Sequence, residues 1–196
     1  MRYDLREFCT TSTPKNPQLH HLELEARQKM VHKSCSTMKV RCFIWRALMN
    51  RIPVANNLLC RGITVQNSLC QLCNNEQESV DHLLVNCSYT KCAMDWIYKW
   101  CGIQLHQVLN IGDLIHYAAN WGNCPKKRTI LTSILYCSIC CIWLERNNRL
   151  FKNKKVPPTK LADEIITLSY TWCNYRSKYG CGTWASWGCS LFNHSY

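Results

Sequence analysis

Carboxylates are scarce in this chain: 12 Asp and Glu stand against 24 Lys and Arg, a formal net charge of +12 over 196 residues. The aspartates are Asp4, Asp81, Asp95, Asp113 and Asp163; no two are adjacent, and no Tyr-x-Asp-Asp stretch occurs. A phosphoryl-transfer site that holds two metal ions between paired carboxylates has nothing to be built from here. A ribonuclease H-type acidic cluster fails for the same shortage. The neighbouring pair Asp163-Glu164 falls in the first turn of an amphipathic segment, where the helix dipole accounts for it. Glycine is rare as well, with 7 scattered residues and no Gly-rich phosphate loop. The expectation is a chain that is not an enzyme.

Long apolar runs are also missing. The longest, ILTSILYCSICCIWL from Ile130 to Leu144, contains Thr132, Ser133 and Ser138 and falls short of the about 20 residues a membrane span needs. It reads as a buried helix, and no membrane partner is expected. The opening MRYDLREFCTTSTP carries Asp4, Arg6 and Glu7 and resembles no signal peptide. The expected location is nucleus or cytoplasm, not secreted, where thiols stay reduced.

What is present is apolar, basic and rich in cysteine: 47% hydrophobic residues, 8 tryptophans and 16 cysteines. Such a chain folds, as one domain or two small ones. Its charge makes polyanions the expected partners, RNA or DNA first. At this cysteine density one Cys-x-x-Cys pair is expected by chance, and a second indeed occurs at Cys137 and Cys140.

The pattern along the chain predicts a mostly α fold, a small zinc-stapled helical domain followed by a helical C-terminal region. Residues 1–35 form a loose N-terminal segment with a helix near Leu22–His32. In residues 36–103, KVRCFIWRALMNRIP places Val40, Phe43, Ile44, Ala47 and Leu48 on one helical stripe, with Arg51 in its last turn and Pro53 as its stop. Trp45 lies off that stripe beside Arg41 and Arg46; it can stack on a base while the cations hold phosphate, or pack against a second element. VANNLLCRG reads as a short helix stopped by Gly62. SYTKCAMDWIYKWCG reads as a helix with Ala93, Trp96, Ile97 and Trp100 on one face and Gly102 at its end. In residues 104–180, helices are expected at about 128–151 and about 158–176. The second of these has an inner stripe of Leu161, Ile165, Leu168, Trp172 and Tyr175. Residues 181–196 carry no assigned element.

Between the first helices and the third lies CQLCNNEQESVDHLLVNC. Its spacing, C-x2-C-x8-H-x4-C, offers Cys70, Cys73, His82 and Cys87 as a Cys3His set, a normal structural combination for zinc. Asn74-Asn75 supplies a turn, and Ser79 can cap a short helix whose third residue is His82. His82 and Cys87 lie about 140° apart on a straight α-helix, so they converge only if the helix ends or tightens near Asn86. The alternative is that Cys70 and Cys73 are small buried apolar groups and His82 a surface residue. For Cys137, Cys140 and Cys141, inside an apolar helix with no histidine nearby, packing is the preferred reading.

KVRCFIWRALMNRIPVANNLLCRGI followed by CQLCNNEQESVDHLLVNC resembles the reverse-transcriptase zinc-binding domain of plant non-LTR (LINE-type) retrotransposons. That family carries K-V-x-x-F-x-W-R-A, then R-x-P-T-x-x-N-L-x-x-R-G, then C-P-x-C and E-S-x-x-H-L-x-x-x-C. The resemblance runs from Lys39 to about Ile103, and IWLERNNRLFKNKKVPPTKLADEI is similar to the tail that follows in the same elements. It implies that Cys70, Cys73, His82 and Cys87 are zinc ligands. The parent elements encode an RNA-directed DNA polymerase, whose active site this chain lacks. Two departures stand out: Gln71 replaces the usual Pro, and Val54 replaces a Thr that would cap a helix; residues 1–35 resemble the family poorly, so the zinc-binding domain is expected over 36–103.

The expected function is therefore a zinc-binding, nucleic-acid-binding module attached to a reverse transcriptase. Phosphate contacts are expected at Lys39, Arg41, Arg46 and Arg51, with Trp45 stacking, and at Arg146, Arg149, Lys152, Lys154 and Lys155. The rivals are a protein-interaction module, which would present Trp96 and Trp100 as an exposed apolar patch, and a decayed element copy.

Overall fold

The structure, a computed structural model, describes residues 36–104, 108–177 and 182–189. The helix expected at Leu22–His32 lies outside the described residues. The elements are α1 (Met38–Leu48), α2 (Ala55–Cys60), a π-helical segment (His82–Asn86), α3 (Ser88–Cys101), α4 (Ile111–Asn120), α5 (Pro125–Lys152), α6 (Pro158–Arg176) and α7 (Trp184–Cys189). Among the described residues there is no strand, and Leu69 and Gln77 form an isolated antiparallel bridge.

The centre is α5, against which α1, α4, α6 and the π segment all pack. Every side chain from Ile130 to Ile139 is buried. By length and composition α5 could cross a membrane, but 72% of its apolar window is buried inside the fold, as a core helix requires. Pro125 sits in its first turn, where the missing N–H costs nothing. One continuous set of buried side chains runs from Ile44 on α1 to Trp187 on α7.

Local chemistry sets the helix ends. Thr37 caps α1 by accepting from the Val40 N–H at 3.3 Å. The helix ends at Leu48, earlier than Pro53 suggested, because Asn50 takes a left-handed conformation (φ 53°). The buried Asn57 amide fixes that turn by donating to Asn50 O at 2.8 Å and Ile52 O at 3.0 Å. Arg51 therefore lies past the helix rather than in its last turn. Gly62 (φ 73°) and Gly102 (φ 65°) stop α2 and α3 as expected.

Three expectations are corrected. Trp96 is 54% exposed, because the inner stripe of α3 runs through Thr90, Ala93, Met94, Ile97 and Cys101. On α6 Leu161 and Ile165 are buried as expected, with Ala162 beside them, but farther along Ser169 and Cys173 replace Leu168 and Trp172 in the core, and Tyr175 is 81% exposed. Small side chains face the core there, which lets the Cys137 thiol reach Ile165 O at 3.9 Å. The tail also holds a helix, α7, whose Trp187 is buried against Trp100 and Tyr170 at ring separations of 5.5 and 5.6 Å. The sequence reading left α4 without an element, although Asn110 and Asp113 form a reciprocal capping box at its start.

Candidate metal centre

Cys70 and Cys73 sit on a turn that the Leu69–Gln77 bridge closes. The Asn74 N–H donates to Cys70 O at 2.8 Å, and Asn74 itself is left-handed (φ 57°), a conformation Asn tolerates. The Cys70 N–H donates to Glu76 O at 2.8 Å, which pulls the following strand of loop back over the turn.

The other two donors come from the π segment. Ser79 caps it as expected, its hydroxyl accepting from the His82 N–H at 3.1 Å. The helix ends at Asn86, as the spacing required, but its last turn loosens rather than tightens. The Cys87 N–H reaches back five residues to His82 O at 2.6 Å, and this i→i+5 turn stacks His82 over Cys87. An α-helix would have held them apart. The carbonyl of Leu83, within the widened turn, accepts from the buried Thr90 hydroxyl at 2.7 Å.

The four donor atoms of Cys70, Cys73, His82 and Cys87 all lie within 4.8 Å of one another. Cys70 and Cys87 sulfurs are 3.8 Å apart, and Cys73 Sγ lies 3.3 Å from His82 Nε2. A tetrahedral zinc with bonds of about 2.3 Å to sulfur has S···S edges of about 3.8 Å. The donor set and its spacing fit zinc. His82 Nδ1 is buried and makes no aligned hydrogen bond, but it lies 3.1 Å from the Glu76 carboxylate. A carboxylate behind the free ring nitrogen is the usual second partner of a metal-bound histidine.

One of the sulfurs, that of Cys87, is drawn toward the thiolate that a metal requires. A hydrogen bond from Cys70 lowers the Cys87 pKa to about 5, helped by the backbone N–H groups of Thr90 and Tyr89 at the start of α3 and opposed by burial. Cys70, the donor of that bond, is raised, with burial adding to the effect. Zinc, when bound, would cross-link the turn, the π segment and the N-terminus of α3. With all four corners filled by protein there is no open position for water or substrate.

The basic residues divide. Lys39 and Arg46 are exposed on one stripe of α1, opposite the buried Ile44 and Leu48; Arg51 is exposed beyond the helix end, and Arg41 is partly buried. Trp45 is partly buried and packs on the core. Lys152, Lys154 and Lys155 are exposed where α5 ends at the left-handed Asn153 (φ 50°).

Arg146 and Arg149 depart from the expectation of phosphate contacts, because both are engaged inside the fold. Arg146 is 5% exposed and grips the fully buried Glu78 carboxylate, Nε to Oε2 at 3.0 Å and Nη2 to Oε1 at 2.6 Å. Arg149 donates to Glu145 Oε1 at 2.7 Å and to Leu72 O at 2.8 Å, and it stacks on Tyr89 with its guanidinium 4.3 Å from the ring centroid.

Glu78 was missed in the sequence, although it stands in the quoted E-S-x-x-H pattern. It also receives the Ala55 N–H at 3.1 Å, standing in for the cap that Val54 cannot provide to α2.

Residues 10–93 match a protein-family model described as zinc-binding in reverse transcriptase. No curated protein and no solved structure matches the chain. The matched stretch holds all four donors and ends within α3, so that α4 to α7 lie beyond it. Match and donor geometry together support a reverse transcriptase zinc-binding domain over residues 10–93.

Proposed function

We propose that this chain is a non-catalytic nucleic-acid-binding module of a LINE-type reverse transcriptase, of plant origin by the motifs of its first two helices. A structural zinc holds a basic helical surface in place for RNA or DNA, in the nucleus or cytoplasm. The observation that carries this reading is the two-faced α1. Its inner side is locked into the same core that buries Cys70 and Cys87, while its outer side presents Lys39 and Arg46 on one exposed stripe, with Arg51 beyond. Lys152, Lys154 and Lys155 add a second exposed basic turn. The scarcity of paired carboxylates argues that polymerisation belongs to an attached domain, not to this one.

The test is the salt dependence of binding to a short duplex and to single-stranded RNA. If about five phosphates are engaged, log affinity falls against log salt with a slope of about −3.5 to −4.5. Replacing Lys152, Lys154 and Lys155 by Ala should weaken binding uniformly across sequences and flatten the slope by about 2 to 3. A flat salt response in the wild type overturns the proposal in favour of protein docking. For that rival Trp100 is poorly placed: its indole N–H donates to Trp187 O at 3.0 Å under α7, leaving Trp96 without the paired patch expected of it.

A further inference from the structure

The two residues between the first ligand pair are held from the far end of the chain. Arg149 Nη1 donates to Leu72 O at 2.8 Å, while its Nε and Nη2 donate to Glu145 Oε1 at 2.7 Å and Val156 O at 3.2 Å. Arg146 grips Glu78, whose Oε2 faces the Gln71 N–H at 3.5 Å. The backbone of Glu78 is pinned in turn, its N–H donating to Ser68 O at 2.9 Å and its carbonyl accepting from Asn56 at 3.1 Å. Two carboxylates and two guanidinium groups thus balance inside the protein, with Glu78 fully buried and Glu145 2% exposed.

A buried set of charges is a weak source of stability, since apolar residues of similar volume often serve as well. What these side chains do specify is backbone position. One fixes the carbonyl of the residue between Cys70 and Cys73; the other fixes the carboxylate that lies over the neighbouring N–H. Both come from α5, outside the stretch 10–93 that matches a zinc-binding family. A turn held in its metal-binding shape loses less freedom when the ion arrives, and outer partners of metal ligands act through such orientation.

We propose that Arg146 and Arg149 are positioning residues of the zinc site. From α5 they hold the Cys70–Cys73 turn open for the ion, so the zinc domain is complete only together with the helix that follows it. This rests on the zinc site alone and not on nucleic-acid binding.

The test is zinc affinity in the full chain, read by competition with a chromophoric chelator. Arg149→Lys keeps the charge but cannot reach Leu72 O, Glu145 and Val156 O together, because it lacks the planar fork. Its zinc affinity should fall by about 10- to 100-fold, the usual effect of removing an outer partner. With cobalt(II) in place of zinc, its visible bands should shift. Ile142→Val is the control: it trims one methyl from the core of the same helix and keeps both arginines and all four ligands, and its affinity and cobalt spectrum should stay those of the wild type. The paired change Glu78→Gln with Arg146→Met removes both charges at once, so that neither is left stranded, and should also weaken zinc. If Arg149→Lys does not fold, this double variant decides by the same measure. Unchanged affinity in the folded variants overturns the proposal, as does an equal loss in Ile142→Val, which would mean that zinc binding merely follows global stability. A wild type that holds no zinc at all would instead remove the zinc reading itself.

Discussion

Two Cys-x-x-Cys pairs share this chain, and the fold treats them in opposite ways. Cys70 and Cys73 stand on a turn, with Cys87 brought to 3.8 Å by a π-helical segment and His82 facing Cys73. Cys137 and Cys140 stand in the middle of α5, with Cys141 at 4.0 Å from Cys137; Cys137 and Cys141 are buried in the core and Cys140 is half-buried at its edge. The sulfur separations are nearly equal, so proximity does not distinguish them. The surroundings do. Near Cys87 there are backbone N–H groups and an imidazole; near Cys137 there are the aliphatic side chains of a core helix. The Cys137 thiol is pushed well up by its bond to Cys141 and by burial, and burial pushes Cys140 to about 12. Among the described residues the cluster at 70–87 alone gathers three or more metal-ligating groups. A metal site needs donors converging from separate segments, and a straight helix cannot supply that from its own neighbours.

The largest expected effect tests this contrast directly. After dialysis against a weak chelator, atomic absorption should find one zinc per chain in the wild type and in Cys141→Ala, and none in Cys87→Ala. Structural zinc carries about 10–16 kcal/mol of apparent binding energy at neutral pH, so Cys87→Ala should also lose most of the helical signal of residues 70–101. Zinc lost equally from Cys141→Ala would place metal binding in α5 and break the comparison.

Next in size is Glu78→Ala. It strands the Arg146 guanidinium in the core, and removing one partner of a buried pair costs about 3–5 kcal/mol. Urea denaturation with zinc saturating should show that loss. Arg146→Met alone should be as harmful, because the fully buried Glu78 is then left without its cation. A loss below about 1 kcal/mol in both would mean that water reaches this pair.

How much of this was legible in sequence depends on what each residue contributes. The four ligands were legible because zinc chemistry fixes residue type and count. How they converge was only half legible: the spacing asked for an end or a tightening near Asn86, and the helix does end there, but its last turn widens instead of tightening. A π turn is held by one hydrogen bond and the packing around it, and neither leaves a mark in composition. Arg146 and Arg149 were misread because a basic run at a helix end looks the same whether its cations face water or buried carboxylates, one of them 68 positions from Arg146 and the other four from Arg149. The α6 stripe was misread because bulk was taken as the guide to burial. Ser169 is fully buried and Tyr175 is not, since α5 and α6 approach closely over small residues. Accordingly Ser169→Leu should overpack that contact and cost about 1–3 kcal/mol, while Tyr175→Ser should stay within about 0.5 kcal/mol of the wild type. The reverse order in thermal melts would restore the stripe read from bulk.

The smallest expected effect asks which sulfur pair carries a thiolate when metal is absent. In the metal-free chain Cys87 titrates near 5 instead of its ordinary value of 9.0, and Cys70 is raised above that value. Between those limits the unfolded chain binds both protons and the folded chain only one, so stability rises with pH and is lost as pH falls through about 5. Above about 9 the sign reverses, because the folded chain keeps the Cys70 proton that the unfolded chain releases. With a chelator present, stability from urea unfolding should therefore be greater at pH 8.5 than at pH 7 by about 1–2 kcal/mol, a window above the usual histidine range. Cys141 is drawn down by its own bond from Cys137, with burial and Glu164 opposing it. Both pairs could produce a rise of this sign, and the variants separate them. Cys87→Ala should abolish the rise and Cys141→Ala should leave it, because the Cys87 sulfur has the N–H groups of α3 to stabilise its charge and the Cys141 sulfur has a nearby carboxylate against it. If Cys141→Ala flattens the curve instead, the thiolate lies in the apolar helix, and polar surroundings are not what sets the two pairs apart.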